Sequence, residues 1–224
     1  MARVILFDVN ETLLDLRALD PHFARVFGHA AVRAQWFAQV LRSALVATIT
    51  DTYHDFGAIA RDALAMMAMV HDVVLTDEDR EQIIGAVRSL PPHPDVPAGL
   101  ATLHNAGFRL ATLTNSPPPV LEAQMRSAGL SNYFEQLLSV DPTRQFKPAR
   151  APYEHAARQL GVAVSEIRMV AAHDWDVAGA MRAGCAAAFV ARPGMVLGPL
   201  QEKPDIIGAD LRAVSARIVE RDTP

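Results

Sequence analysis

The sequence predicts an α/β fold: a Rossmann-like parallel-sheet core with a helical cap domain inserted after the first strand. Three observations carry that expectation. Val4 to Phe7 form a short apolar run, which suits a strand buried on both faces of a parallel sheet. From residue 96 onward, strand-length apolar runs alternate with helical patterns, and that alternation implies a parallel sheet with helices on both faces. Between the two, from Ala18 to Leu90, the apolar spacing is helical throughout.

In chain order, the stretch Arg3 to Asp15 reads RVILFDVNETLLD. Asp8 ends its apolar run, and a carboxylate is costly to bury without partners. It is therefore expected where strand gives way to loop, at the carboxyl edge of the sheet where ligands bind in open α/β folds. A solvated loop carboxylate or a helix cap would account for it equally at this point. The segments VRAQWFAQVLRSALVATI, FGAIARDALAMMAMV and DEDREQIIGAVRSL follow as helices, the last with a Thr76 cap and Asp77, Glu78 and Asp79 in its first turn, favourable for the helix dipole. PPHPDVPAG, with four prolines, breaks the pattern and marks a boundary. Strands are then expected at 109–114, 136–140, 167–171, 187–191 and 205–207, and helices near 96–105, 119–128, 151–160, 177–183 and 211–220. This assigns residues 1–14 and 92–224 to the core and 15–91 to a cap placed to cover Asp8 and exclude water.

Composition narrows the function. A chain of 224 residues, half of them hydrophobic, buries a substantial core. A net charge of −4 with no basic runs argues against nucleic acid or an anionic membrane as partner. No apolar run approaches the roughly 18 residues of a membrane span, and the N-terminus leads straight into a strand, so the expected location is cytoplasmic. The only cysteine, Cys185, lies in the apolar run MRAGCAAAFV and reads as a buried inert thiol rather than a nucleophile.

FDVNETL after the first strand, TNS after the second core strand, the lone lysine of FKPARAPYEHA, and AAHDWDVAGA after the fourth resemble the four motifs of the haloacid dehalogenase superfamily. The resemblance spans essentially the whole chain and implies Asp8 as nucleophile. Most members are magnesium-dependent phosphatases with a second Asp two residues after the nucleophile as general acid. Here that residue is Asn10, which has no proton to give. Asp176 matches one metal-ligand position, but Ala172 stands where a further acidic ligand belongs, leaving only Asp174 nearby to compensate. A halide leaves as an anion and needs neither acid nor metal, so the departures resemble the metal-free L-2-haloacid dehalogenase branch, with no cofactor and a homodimeric assembly.

That branch implies an aspartyl-ester mechanism converting short 2-haloalkanoic acids (haloacetates, L-2-halopropionates, fluoroacetate at the demanding end) to 2-hydroxy acids. Lys147 matches the cation that keeps Asp8 ionised. Thr114 and Asn115 match the pair that binds the substrate carboxylate, with amides of the following helix N-terminus assisting. Tyr153 and Trp175 match rings that line the site and offer donors, and Asn10 replaces a tyrosine beside the attacked carbon. Asp176 matches the acid that orients Lys147 and helps activate water; a helix cap for Val177 is its structural alternative. The halide arginine of the cap is expected at Arg33, with Arg42 as the other candidate. His173 departs from the family's asparagine, and Ala171 from its serine, so His173 is expected to bond Asp8 or the halide and share general-base work. A magnesium phosphatase acting on a small phosphorylated metabolite, and a catalytically weak binding member of the fold, are the alternative readings.

Overall fold

A computed structural model describes residues 4–223; Arg3, where the stretch quoted above begins, lies outside them, as do residues 1, 2 and 224. β1 (Val4–Phe7) is followed by the helices α1 (Asp20–Phe27), α2 (Val32–Ile49), α3 (Phe56–Val70) and α4 (Asp77–Ala86) before the chain returns to the sheet. It then alternates: α5 (Val96–Asn105), β2 (Arg109–Thr114), α6 (Pro118–Ser127), β3 (Gln136–Ser139), α7 (Arg150–Leu160), β4 (Ile167–Ala171), α8 (Asp174–Ala183), β5 (Ala186–Val190), β6 (Ile206–Gly208) and α9 (Leu211–Asp222).

The strands form one parallel sheet in the order β3-β2-β1-β4-β5-β6. β1 is fully buried between β2 and β4, with Val4 level with Arg109 on one side and Ile167 on the other. The strand order reverses at β1, and the crevice outside such a reversal is where open α/β sheets place ligands. Asp8 is the first residue past that strand.

The helices before β2 are held by their own packing and caps. Phe23 of α1 meets Trp36 of α2 with ring centroids 5.4 Å apart, and the Trp36 indole N–H donates to the Ala60 carbonyl of α3 at 2.9 Å. α4 begins with a reciprocal capping box between Thr76 and Asp79. The two crossings to the sheet lie side by side: Asp15 N–H donates to Pro91 O and His93 N–H to Leu13 O, each at 2.9 Å. A further tie runs to the loop before α7, where Phe146 N–H donates to Thr48 Oγ1 at 3.1 Å and Tyr53 stacks on Phe146.

Several boundaries differ from the sequence reading by a residue: β3 stops at Ser139, while β5 and β6 are each displaced by one. Asp205 lies just before β6, whose pairing with β5 begins at Ile206, and its carboxylate accepts from Arg168 Nη1 at 2.5 Å. The larger difference is α8. It starts at Asp174 with His173 as the capping position, so Asp176 sits inside the first turn rather than capping Val177.

Candidate active site

Four segments converge at the tip of β1. Asp8 is buried, and its amide is anchored by donating to Val170 O at 3.1 Å. The Thr12 hydroxyl donates to Asp8 Oδ2 at 2.6 Å and accepts the Ala172 N–H at 2.9 Å, joining the β1 and β4 loops through the nucleophile candidate. Thr12 is itself clamped from behind: Arg192 donates Nε and Nη2 to the Thr12 carbonyl at 3.2 and 2.9 Å, and Nη1 to Asp95 at 2.6 Å.

Lys147 uses all three ammonium protons, on Asp8 Oδ1 at 2.9 Å, Asp176 Oδ2 at 2.6 Å and the Leu113 carbonyl at 2.8 Å. Its backbone N–H donates to Asn115 Oδ1 at 3.0 Å. Tyr153, expected to offer a donor to substrate, is fully buried and commits its hydroxyl to Asp176 Oδ1 at 2.6 Å. It is a positioning residue for Asp176. This packing requires a glycine at 179 of α8, where a Cβ would fall 2.4 Å from Pro148 Cβ and 2.8 Å from the Tyr153 hydroxyl.

His173 faces the other Asp8 oxygen. Its Nδ1 lies 3.1 Å from Asp8 Oδ2 and its Nε2 3.0 Å from Glu11 Oε2, while the Trp175 ring stacks on it with centroids 4.9 Å apart. Glu11 is the functional candidate that sequence reasoning missed. It has φ 62°, a left-handed conformation costly for a side chain of this kind, and nothing in the local pattern ties it to a residue 162 positions away. The one available signal was the pairing of an extra acid beside the nucleophile with an extra histidine in the fourth motif.

The electrostatics follow. Burial alone would raise the Asp8 pKa, but Lys147 and His173 outweigh it and hold the carboxyl well below its usual range. Burial would lower His173, yet its bonds to Asp8 and Glu11 push it up to about 9. Lys147 is raised in the same way by Asp176 and Asp8 against the pull of burial. Asp176 is raised, chiefly by burial, with the Asp8 charge adding to it and Lys147 opposing. Burial and Asp176 together raise Tyr153 well above its ordinary value, which keeps its hydroxyl a donor. Burial pushes the Cys185 thiol up to about 12.

These donors do not fit a magnesium ion. One Asp8 oxygen faces Lys147, the other faces His173 and Thr12, and Lys147 occupies the space between Asp8 and Asp176. Asp174 turns away, accepting from Trp175 N–H at 2.8 Å and Gln201 at 3.3 Å. Among the described residues no group of three or more His, Cys, Asp or Glu side chains could hold a metal.

The remaining candidates fall around this centre. Asn10 donates to Ser116 Oγ at 3.2 Å and accepts from Gln124 at 3.0 Å. Thr114 ends β2, its hydroxyl accepting the Ser116 N–H at 3.2 Å. The expected help from the α6 N-terminus is absent: positions 117–119 are prolines without N–H groups, and Val120 and Leu121 donate to Pro117 O. Arg33 reaches the His173 side, but its Nε pairs with Asp20 at 2.8 Å and its Nη1 with Glu11 at 3.5 Å, so it meets Asp8 only through Glu11 and His173. Arg42 bonds Gln39 and lines a different cavity of α2 and α3. Phe37, 6.2 Å from His173 between ring centroids, walls two spaces flanking the centre. One, of about 180 Å³, lies between the inserted helices and the sheet and is bordered by Asn10, Trp36 and Ser116. The other, of about 390 Å³, opens beside Glu11, His173 and Trp175.

The haloacid dehalogenase-like hydrolase family model matches residues 2–184. The chain is 31% identical to the (S)-2-haloacid dehalogenase of Pseudomonas sp. (strain YL) over 94% of its length and 91% of the relative's. It is 30% identical to that of Xanthobacter autotrophicus over 86% of this chain and 76% of the relative. The L-2-haloacid dehalogenase structure from X. autotrophicus with chloropropionic acid covalently bound superposes with a TM-score of 0.91 at 26% identity, covering 99% of both chains.

Proposed function

The chain belongs to the haloacid dehalogenase-like hydrolase family, and on that premise we propose that it hydrolyses the carbon–halogen bond of 2-haloalkanoic acids, haloacetates and L-2-halopropionates among them, through an ester on Asp8 and without a metal. In this reading residues 15–91 act as the cap domain over a core of 1–14 and 92–224. The observation that carries it is the environment of Asp8: a buried carboxylate with Lys147 on one oxygen and the His173 imidazole on the other. Such a group stays ionised, and Asn10, standing where the phosphatases carry their general acid, cannot supply a proton, which suits a leaving group that departs as an anion.

In the first step an Asp8 oxygen attacks C2, the new C–O bond forms as the carbon–halogen bond breaks, and the electron pair departs with the halide. Asn115 and its neighbours at the end of β2 hold the substrate carboxylate. The His173 cation and the Trp175 edge receive the halide, with Arg33 acting through Glu11. In the second step, water attacks the ester carbonyl. Esterification has removed the Asp8 charge that helped raise His173, so the imidazole releases its Nδ1 proton to solvent as the halide departs, while Glu11 keeps Nε2–H oriented. The free Nδ1 then takes a proton from water as hydroxide adds to Asp8 Cγ. The imidazolium passes that proton to the departing alkoxide, and the proton of the regenerated Asp8 acid returns to His173. Asp176, with both oxygens already bonded to Lys147 and Tyr153, serves to position the lysine.

A single turnover on chloroacetate in oxygen-18 water, with chelator present, tests the reading. Label is expected in the Asp8 carboxylate and not in the first product molecule. Label appearing directly in the first glycolate would mean that water attacks carbon, and absence of chloride release would remove the dehalogenase reading altogether.

A further inference from the structure

We propose that His93, on the chain's return from the inserted helices to the sheet, is the positioning residue that fixes Glu11 and, through it, the His173 base. This role rests on the dehalogenase reading and adds to it the residue that holds its hydrolytic pair in place. Glu11 has an unfavourable backbone: its φ is 62°, in the left-handed region where a Cβ crowds the following carbonyl oxygen. A residue persists there only where its surroundings over-determine it. Two bonds do so. Glu11 N–H donates to Leu14 O at 2.8 Å, which closes the loop on itself. Glu11 O accepts from His93 Nε2 at 3.1 Å, a tie to a residue 82 positions away.

His93 is well placed to anchor that tie. It is buried, its N–H donates to Leu13 O at 2.9 Å, and its carbonyl accepts the Val96 N–H at 3.0 Å. Its Nδ1 stands 3.9 Å from Asp15 Oδ2, beyond hydrogen-bond reach. Among the described residues the Glu11 carbonyl is therefore the one hydrogen-bond partner of this buried ring. A carbonyl oxygen only accepts, so Nε2 carries the proton; burial and the Arg192 charge lower the imidazole pKa and keep the ring neutral in that form. The Glu11 carboxylate in turn reaches His173 Nε2 at 3.0 Å and Arg33 Nη1 at 3.5 Å. With its carbonyl released, Glu11 relaxes toward negative φ, and its Cβ swings the carboxylate off the His173 ring.

The test is a double-mutant cycle between positions 93 and 11, read by rapid-quench halide release from chloroacetate. His93→Phe keeps a ring and loses the donor; His93→Gln places an amide nitrogen where Nε2 stood. In His93→Phe the halide burst is expected to persist while the turnover that follows slows about tenfold. His93→Gln should stay within about twofold of wild type, and His93→Phe should slow Glu11→Gln by less than about twofold, because both changes act on one carboxylate. Circular dichroism establishes folding, and His93→Leu serves if His93→Phe fails it. A residue that only supports the fold would lower burst and turnover alike and act additively with Glu11→Gln; either result overturns the assignment, as does a folded His93→Gln that behaves like His93→Phe. NMR titration of the His173 ring gives a readout that needs no turnover. Its proton should be lost about one pH unit lower in His93→Phe than in wild type. An unmoved titration overturns the role of His93, whereas a shifted titration in a protein that releases no halide overturns the dehalogenase reading and leaves the placement of Glu11 standing.

Discussion

Replacing Glu11 by glutamine separates the two chemical steps. The substitution keeps shape and removes one charge from the Glu11–His173–Asp8 chain, whose links are 3.0 and 3.1 Å. In the free protein His173 still faces the Asp8 carboxylate, so the imidazolium persists and alkylation proceeds. Once Asp8 is an ester, Glu11 is the only anion bonded to the ring, and it both orients Nε2–H and stabilises the imidazolium formed when Nδ1 takes the water proton. A hydrogen bond to a charged group contributes about 1.5–3 kcal/mol, which converts to a hydrolysis step slowed about 10- to 150-fold at 1.36 kcal/mol per decade. Rapid-quench halide assays should therefore show a burst approaching one equivalent followed by slow turnover, and mass spectrometry of the quenched protein should find the Asp8 peptide carrying the substrate's acyl chain. A parallel loss of burst and turnover, or turnover unchanged, would refute the assignment of Glu11 as the residue that positions the base.

Three other outcomes are expected. Lys147→Met leaves Asp8 and Asp176 buried without their shared cation, which should cost about 3–5 kcal/mol in urea unfolding and lower halide release about 10²–10³-fold; a variant of wild-type stability would contradict the ion-pair geometry. Tyr153→Phe removes only the bond to Asp176, so a loss of about 1–3 kcal/mol and a fall in kcat with KM unchanged are expected, and a KM effect alone would place the ring against substrate instead. The raised His173 pKa makes a stability contribution that is complete below its unfolded value of 6.5 and lost as pH rises through about 9. Melting temperature should fall across that window in wild type and not in His173→Asn, and the halide burst should fall with it; identical alkaline profiles for the two proteins would exclude His173 as the group responsible.

Most of the fold was legible because its signals are local. The apolar spacing of α2 and α3 and the Thr76 cap of α4 depend on residues within a turn or two, and Asp8 sits where β1 ends, while Lys147 and Asp176 follow in the loop before α7 and the first turn of α8. The misses are of another kind. Asp176 was expected to orient Lys147, to which it bonds at 2.6 Å, but its second partner, Tyr153, comes from another segment and was not foreseen. Tyr153 read as a substrate donor because its acceptor is invisible in sequence. Arg33 read as a halide ligand, while its carboxylate partners Asp20 and Glu11 are distant in chain order or concealed in a motif. The prolines at 117–119 are legible in the sequence as missing N–H groups, whereas the engagement of the Val120 and Leu121 N–H groups by Pro117 O shows only in the structure.

The clamp on Thr12 gives the C-terminal segment a stake in the chemistry. Arg192 lies beyond β5, and Asp95, which bonds it, also accepts the Leu211 N–H at the start of α9 at 2.6 Å. A chain shortened just past β5 would retain every residue that meets the substrate, yet the loop presenting Asp8 would lose its rear support. The same stretch packs Leu211, Val214 and Ile218 into the core and supplies Asp205 and Asp222 to buried Arg168, so such a truncation would cost stability and turnover together.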